Sequence, residues 1–220
     1  MTTRPSEIEQ GSMAIIDAEL AARGIILPPE NAAVVRRCIH ASADFDYAEN
    51  LRFSPDAVAR AVEALRAGAA IVTDTNMALA GVSRPGLARL GSEAHCFMAY
   101  GEIARAAKER GTTRAAAAME YAAKAYPGAI LAVGNAPTAL LQIAEEIENG
   151  LRPALVVAAP VGFVNVVESK ERLWESCLAH KIPCIAAMGR KGGSSIAAAI
   201  LNALIYTAAD MLEPEKRGWN

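Results

Sequence analysis

Short apolar runs alternate with longer segments of mixed polarity from about residue 70 onwards. Five runs of four residues are nearly continuous in apolar character and too short for helices, which is typical of strands buried on both faces of a sheet. They cover 70–73, 96–99, 130–133, 155–158 and 184–187. Helical patterns separate or follow them at 114–125, 138–148, 168–179 and 195–208. This alternation predicts a single doubly wound α/β domain, in which a mostly parallel buried sheet has helices on both faces.

The pattern also predicts three helices in the N-terminal part of the chain. A Ser-Glu-Ile-Glu run at 6–9 has the spacing of a capping box and predicts the start of the first helix. Pro28 opens the second helix, and Ser54, which is followed by proline, is predicted to cap the third. Since no linker or repeat divides the chain, we expect one domain over residues 1–220, with a polar tail at 210–220.

The composition narrows the classes of ligand. Of the 220 residues, 53% are hydrophobic and only 5% aromatic, so small aliphatic side chains are expected to pack the helices closely on the sheet. The formal net charge of -2 provides no overall positive field for nucleic acid. An anionic ligand must therefore be met by local basic residues.

Neither a secretory signal segment nor a run of membrane-spanning length is found in the sequence. The four cysteines have neither CxxC nor disulfide-framework spacing, so we expect a cytoplasmic protein with reduced thiols and no contact with membranes. Cys177, His180 and Cys184 could supply metal ligands, but structural zinc normally has four and Cys184 falls in a predicted buried strand. We therefore expect no metal site.

The most informative polar side chain is that of His40, which lies between two arginines if residues 34–44 form one helix. Arg36 lies four residues and Arg37 three residues before it, so both border the imidazole on one face. The opposite face carries four apolar side chains, those of Val34, Val35, Cys38 and Ile39. A group that titrates near neutral pH beside fixed positive charge suits an acid that acts on an anionic substrate. The alternative is a solvated or capping histidine.

Polar, glycine-edged turns follow the predicted strands at the edge of the sheet where open parallel sheets bind ligands. The most basic turn precedes the last helix, whose free N–H groups and dipole favour anions. We predict anion contacts from Arg190, Lys191, Gly192 and Gly193, with the alternative that the glycines only satisfy backbone geometry. The chain contains neither a GxGxxG nor a Walker sequence, and neither GxSxG nor HExxH, which argues against a nucleotide-dependent enzyme and a hydrolase.

Five motifs, each weak alone, occur in the order and spacing of one known family. They are RRCIHA at 36–41, FSPD at 53–56, GNAPTAL at 134–140, PVGFV at 160–164 with ESK at 168–170, and GRKGGS at 189–194. Together they resemble the precorrin-8X methylmutase family of cobalamin biosynthesis over about residues 6–206. The last motif is similar to that of the cobalt-precorrin-8 enzymes of the anaerobic route.

The resemblance implies a Rossmann-like α/β fold, a homodimer and an isomerase. Enzymes of this family move a methyl group between adjacent carbons of ring C of precorrin-8 by an intramolecular 1,5-sigmatropic shift. The product is hydrogenobyrinate, or cobyrinate when cobalt is present. The reaction needs no methyl donor and no cofactor of the protein, because any cobalt arrives inside the tetrapyrrole substrate. Hand-over of the substrate from a neighbouring pathway enzyme is a further expectation.

The same resemblance implies roles for individual residues. His40 matches the catalytic histidine, which protonates or hydrogen-bonds the ring C nitrogen. Ser12 and Arg37 match substrate-contacting positions, and Arg114 matches an arginine that meets a substrate carboxylate, although Ser12 and Arg114 look like ordinary helix residues by themselves. Arg36 has no such match. A non-catalytic corrinoid carrier is the alternative function, because a protein that holds so large an anion could deliver it rather than convert it.

Overall fold

A six-stranded sheet forms the centre of the computed structural model, which describes residues 4–218; residues 1–3 and 219–220 of the predicted domain lie outside it. The strands are β1 (Leu51–Phe53), β2 (Ile71–Thr73), β3 (Ala94–His95), β4 (Ile130–Val133), β5 (Leu155–Ala158) and β6 (Cys184–Ala187). Their spatial order is β1-β6-β5-β4-β2-β3. Neighbours pair in parallel except β1, which is antiparallel to β6. The predicted α/β class with a mostly parallel sheet is thus confirmed.

Helices cover both faces of this sheet. They are α1 (Pro5–Ala22), α2 (Ala32–Ser42), α3 (Tyr47–Asn50), α4 (Ala57–Arg66), α5 (Asn76–Gly81), α6 (Arg84–Leu90), α7 (Gly101–Arg110), α8 (Arg114–Ala125), α9 (Pro137–Glu148), α10 (Val166–Ala179) and α11 (Ser194–Ala208). On one face α8, α9 and α10 pack side by side, and on the other α2, α4 and α5 pack around α11. No helix within residues 4–218 is long and apolar enough to cross a membrane.

Each central strand contributes to two cores. In β5, Leu155 and Val157 join the core on the α11 side, whereas Val156 and Ala158 join the core on the α9 side. All four side chains are fully buried. Successive side chains of a strand point to opposite faces, so a strand covered by helices on both sides must be apolar at every position.

The predicted strand at 96–99 is wrong, and β1 is absent from the pattern-based prediction. Only Cys96 and Phe97 of this run are buried, and Phe97 packs against other rings instead of pairing in the sheet: its ring centroid lies 4.8 Å from that of Tyr121 and 5.9 Å from that of Tyr126. β1 has only three residues and pairs with a strand far along the chain, which local periodicity does not reveal.

Three predicted helix starts are also wrong. α1 starts one residue earlier than expected, and its Ser6 and Glu9 are buried instead of forming a capping box. α2 starts four residues after Pro28. Ser54 does not cap α4, because its hydroxyl accepts a hydrogen bond from the N–H of Cys184 at 2.8 Å and so extends the pairing of β1 with β6. Glu9 and Ser54, which the local motifs assigned to helix capping, therefore make tertiary contacts instead.

The segment after α11 folds back onto the start of the chain. It contains a short 3-10 helix, Pro214–Arg217, with a buried Pro214. Gln10 Nε2 donates to Glu215 Oε1 at 2.6 Å, and Arg217 Nη2 donates to Glu9 Oε1 at 2.7 Å, with both partners on α1. This part of the expected polar tail is thus packed against α1.

Candidate active site

The predicted orientation of α2 is confirmed, with His40 exposed and the apolar side chains buried. The buried side chains are those of Val34, Val35, Cys38 and Ile39, none more than 2% exposed. His40 lies in the last turn of the helix. The imidazole is therefore open to a ligand at the surface of the protein.

A buried carboxylate holds Arg37 on one side of His40. Glu9 of α1 is 5% exposed, and its Oε1 lies 2.8 Å from Nη1 of Arg37 and 2.7 Å from Nη2 of Arg217. The guanidinium carbons of the two arginines also lie 5.3 and 4.6 Å from the ring centroid of Tyr206. We call this group of two arginines that share one carboxylate the Glu9 cluster (Glu9, Arg37 and Arg217).

The Glu9 cluster shifts the pKa of Glu9 and of His40. Burial, the largest effect on Glu9, opposes its ionisation, but the hydrogen bond and charge of Arg217 and the charge of Arg37 outweigh it and hold the pKa of Glu9 below its usual value. The pKa of His40 is lowered first by the protein atoms packed around it and then by the charge of Arg37, with Glu9 opposing. The imidazole is therefore mostly neutral at neutral pH when no ligand is bound.

Arg36 pairs with a different acid from Arg37. Its Nε donates to Asp17 Oδ1 of α1 at 2.5 Å, in a largely solvent-exposed pair. Arg36 and Arg37 both line a cleft of about 450 Å³ between α1, α2 and residues 212–214. The apolar side chains of Met13 and Leu212 also line it. Three acids, Glu9, Asp17 and Glu213, line the same cleft, so its charge is mixed.

Lys191 joins the glycine-rich loop to the end of the histidine-bearing helix. Its Nζ donates to Asp44 Oδ2 at 2.7 Å and also to a carboxylate oxygen of Asp46. These hydrogen bonds raise the pKa of Lys191, and the bond from Lys191 lowers the pKa of Asp44. Asp44 follows His40 by four residues. The structure thus brings three predicted residues, His40, Arg37 and Lys191, into one region, with Lys191 already paired to two acids.

A fully buried lysine holds this loop from the inside. Lys170 of α10 donates from Nζ to the carbonyl oxygens of Gly189 and Lys191, both at 2.8 Å. Burial lowers the pKa of Lys170 to about 8. Because the peptide bonds are planar and trans, inward carbonyls turn the following N–H groups, those of Arg190 and Gly192, outward. Residue-level reasoning missed Lys170, whose only signal was its place in the ESK motif.

Gly192 is needed because the loop passes very close to the chain after β5. A Cβ at this position would lie 2.3 Å from the carbonyl oxygen of Ala159 and 2.7 Å from that of Pro160. Gly192→Ala should therefore lower the free energy of unfolding by about 1–3 kcal/mol, measured by urea denaturation. Gly101→Ala is the matched control, since a Cβ there meets no atom within 4 Å. A Gly192 variant as stable as this control would contradict the prediction.

A buried aspartate ties the turn after β2 to the turn after β4. Asp74 is 1% exposed, and its carboxylate accepts hydrogen bonds from the N–H groups of Gly134, Asn135 and Ala136 at 2.7, 2.9 and 2.8 Å. Burial raises the pKa of Asp74 in spite of these bonds. The sequence indicated a polar turn here but not its partner 60 residues away.

The other two predicted contacts lie on opposite sides of the sheet. Ser12 is on α1, three residues after Glu9, and its hydroxyl donates to a carbonyl of its own helix at 2.9 Å. Arg114 is exposed at the start of α8, in the helical layer on the other face from α2. The hydroxyls of Thr113 and Thr138 lie 2.7 Å apart, which links this helix start to that of α9. Ser12 is thus close to the Glu9 cluster, and Arg114 is in a different layer.

The cysteines and His180 form no metal centre in the described part of the chain. No group of three His, Cys, Asp or Glu side chains within residues 4–218 is placed to hold a metal ion. Cys177 and Cys184 are buried neighbours, and the hydrogen bond between their thiols, together with burial, raises the pKa of Cys184. His180 follows the last residue of α10.

Comparison with known proteins assigns this arrangement to a family. The family model described as precorrin-8X methylmutase matches residues 7–207, which contain α2, the glycine-rich loop and nearly all of α1 and α11. The chain belongs to the precorrin-8X methylmutase family. Members of this family are methylmutases, which are isomerases of cobalamin biosynthesis.

Individual precorrin-8X methylmutases align with most of the chain. The cobalt-precorrin-8 methylmutase of Salmonella typhimurium is 41% identical over 207 residues, which cover 92% of this chain and 95% of that protein. The precorrin-8X methylmutase of Pseudomonas aeruginosa is 40% identical over 198 residues, or 90% and 93%. A crystal structure of precorrin-8X methyl mutase from Thermus thermophilus has a TM-score of 0.82 and 44% identity, over 92% of this chain and 98% of that one. The resemblance inferred from the motifs is thus confirmed.

Proposed function

We propose that this methylmutase moves a methyl group between adjacent carbons of ring C of cobalt-precorrin-8, giving cobyrinate, with His40 as the proton donor. The observation that carries the proposal is the position of His40. It is exposed in the last turn of α2, with the Glu9 cluster on one side and the Lys191–Asp44 pair on the other. A relative named for cobalt-precorrin-8 is 41% identical to this chain, and one named for precorrin-8X is 40% identical. Because these identities do not discriminate between the two substrates, we choose the cobalt form on the GRKGGS motif.

The proposed chemistry needs one proton held at the right place. A proton or hydrogen bond from His40 to an imine-type ring nitrogen draws electron density from the conjugated macrocycle and lowers the barrier to the sigmatropic shift. A positioned acid of this kind typically contributes about 10²–10⁴-fold to the rate. The methyl group stays within one molecule, so the proposal includes no methyl donor and no cofactor of the protein. Any cobalt is part of the substrate.

Basic side chains around His40 suit the acetate and propionate groups of such a substrate. In the Glu9 cluster, the guanidinium of Arg37 can attract a substrate carboxylate. Ser12, Arg114 and the loop residues 190–193 are the other proposed contacts. An arginine–carboxylate contact near Arg37 would also reduce the electrostatic cost of protonating His40.

Substrate carboxylates should therefore raise the pKa of His40 when they bind. In the free protein this pKa lies below 6.5, and Arg37 is one of its causes. An NMR titration of the His40 imidazole should show a higher pKa with bound hydrogenobyrinate than without it. An unchanged or lower His40 pKa in the complex would contradict this mechanism of activation.

An absorption assay tests the proposed function directly. Conversion of precorrin-8 changes the conjugation of the chromophore, so an enzyme changes the spectrum on repeated turnover, whereas a carrier leaves the substrate spectrum in place. Metal-free and cobalt-loaded substrates should be assayed side by side. Faster turnover of the cobalt form is the expected result. A spectrum that stays that of the substrate would favour the carrier.

The wider setting of the enzyme is also part of the proposal. We propose a Rossmann-like homodimer that works in the cytoplasm and receives its substrate from a neighbouring pathway enzyme. The resemblance supports the dimer, and the four buried, unpaired cysteines are compatible with a reducing compartment. Sedimentation measurements on the purified protein check the dimer.

A further inference from the structure

The turn between β5 and α10 carries apolar side chains that the rest of the chain leaves uncovered. Phe163 is 82% exposed, Val164 is 77% exposed and Val161 is 47% exposed. We call these three residues the apolar lip. Single exposed apolar residues are ordinary at protein surfaces, but three within four positions of one turn concentrate apolar surface, as binding sites do.

The apolar lip is fixed against the basic loop that precedes α11. The N–H of Gly162 donates to the carbonyl of Arg190 at 3.3 Å. The guanidinium carbon of Arg190 lies 5.6 Å from the ring centroid of Phe163. A Cβ at Gly193 would lie 3.9 Å from Cγ1 of Val161, so the side chain of Val161 lies close to the backbone of this loop. An exposed aromatic ring and an exposed cation are thus presented side by side.

The same loop connects the apolar lip to the candidate acid. Lys191 is adjacent to Arg190 in the chain and pairs with Asp44, just after the end of α2. His40 is in the last turn of α2, and Asp44 follows it by four residues, just beyond the left-handed Ala43 that ends the helix. Lys170 fixes the loop from inside through two carbonyl groups. The apolar lip and His40 therefore flank one continuous surface at the carboxyl edge of the sheet.

We propose that the apolar lip packs against a face of the tetrapyrrole macrocycle while Arg190 binds one of its peripheral carboxylates. This inference rests on the proposed function, because it takes that substrate as the ligand. The macrocycle is a broad apolar ring with an anionic rim, and the lip and Arg190 offer the complementary pair of surfaces within a few ångströms. Charge complementarity at Arg190 favours this occupant over an apolar face of a second copy of the chain.

The test measures binding of hydrogenobyrinate by absorption titration to the wild-type protein and three variants. Phe163→Ala removes most of the apolar surface of the lip and should raise the dissociation constant about tenfold. Phe163→Leu keeps an apolar side chain and should raise it no more than about threefold. Leu178→Ala is the matched control, because it removes a half-exposed apolar side chain at the far end of α10. It should leave the dissociation constant unchanged.

Three other outcomes would overturn the inference, and the measurements distinguish them from one another. Unchanged affinity of Phe163→Ala, with normal binding by the wild type, would remove the lip from the site and leave the proposed function intact. A Phe163→Ala protein of smaller assembly mass with wild-type affinity per chain would show that the lip covers a subunit interface instead. A wild-type protein that neither binds hydrogenobyrinate nor converts precorrin-8 would overturn the proposed function and this inference together.

Discussion

Replacing His40 by alanine should reduce kcat for conversion of cobalt-precorrin-8 by about 10²–10⁴-fold and leave product binding near its wild-type strength. The side chain is exposed in the last turn of α2, and the residues that anchor this helix are on its opposite face. Removal of the imidazole therefore deletes the proposed proton donor without opening the core. Stopped-flow absorption under single-turnover conditions measures the loss, and titration with hydrogenobyrinate measures the binding.

The control for this experiment is His180→Ala. It removes an imidazole of the same size from the end of α10, away from the Glu9 cluster, and should leave both kcat and binding unchanged. Turnover of the His40 variant at the wild-type rate would remove the residue from catalysis. A His40 variant that lost product affinity to the same degree as kcat would show that the imidazole mainly binds the ligand in the ground state.

The central strands could be predicted because helices cover both faces of the sheet, which requires an apolar side chain at every strand position. β4, β5 and β6 are covered on both faces, and the apolar runs at 130–133, 155–158 and 184–187 match their bounds to the residue. The edge strands carry no such signal. β1 and β3 have three and two residues, and β1 depends on pairing with β6, more than 130 positions later in the chain.

The site could be predicted only as far as helical spacing determines it. The spacing of α2 predicts the exposure of His40, and the structure agrees. Arg37, which the spacing places on the same face, is instead largely buried against Glu9, with its side chain 14% exposed. The partners could not be predicted. Glu9 and Arg217 are separated by 208 positions, and Asp44 and Lys191 by 147, so only the folded chain brings them together.

This long-range contact changes the interpretation of the two arginines. The sequence alone placed both arginines beside His40 as fixed positive charge. In the structure Glu9 already compensates part of its charge, and Arg217 adds a second cation from beyond the end of the family match at residue 207. The net charge that a substrate carboxylate meets therefore belongs to the Glu9 cluster as a whole.

Glu9→Gln should be the most destabilising single change of a polar residue at this site, by about 3–5 kcal/mol. The substitution keeps the shape of the side chain but removes the carboxylate that Arg37 and Arg217 share, and the side chains of these arginines are 14% and 4% exposed. Two closely placed cations would then be left in a poorly solvated position. For a chain of this size the midpoint of thermal unfolding should fall by about 6–20 °C, measured by calorimetry.

The control for this change is Asp17→Asn, and pH gives a second, independent check. Asp17 is on the same helix and pairs with Arg36 in an exposed position, so its loss should cost at most about 1 kcal/mol. Because the pKa of Glu9 is lowered by folding, its stabilisation is present above about pH 4.5 and is lost as the pH falls through its folded-state value. The difference in stability between wild type and Glu9→Gln should therefore shrink below pH 4.5. If wild type and Glu9→Gln were equally stable at pH 7, or if the difference between them did not change with pH, the Glu9 cluster would not be held together by its charges.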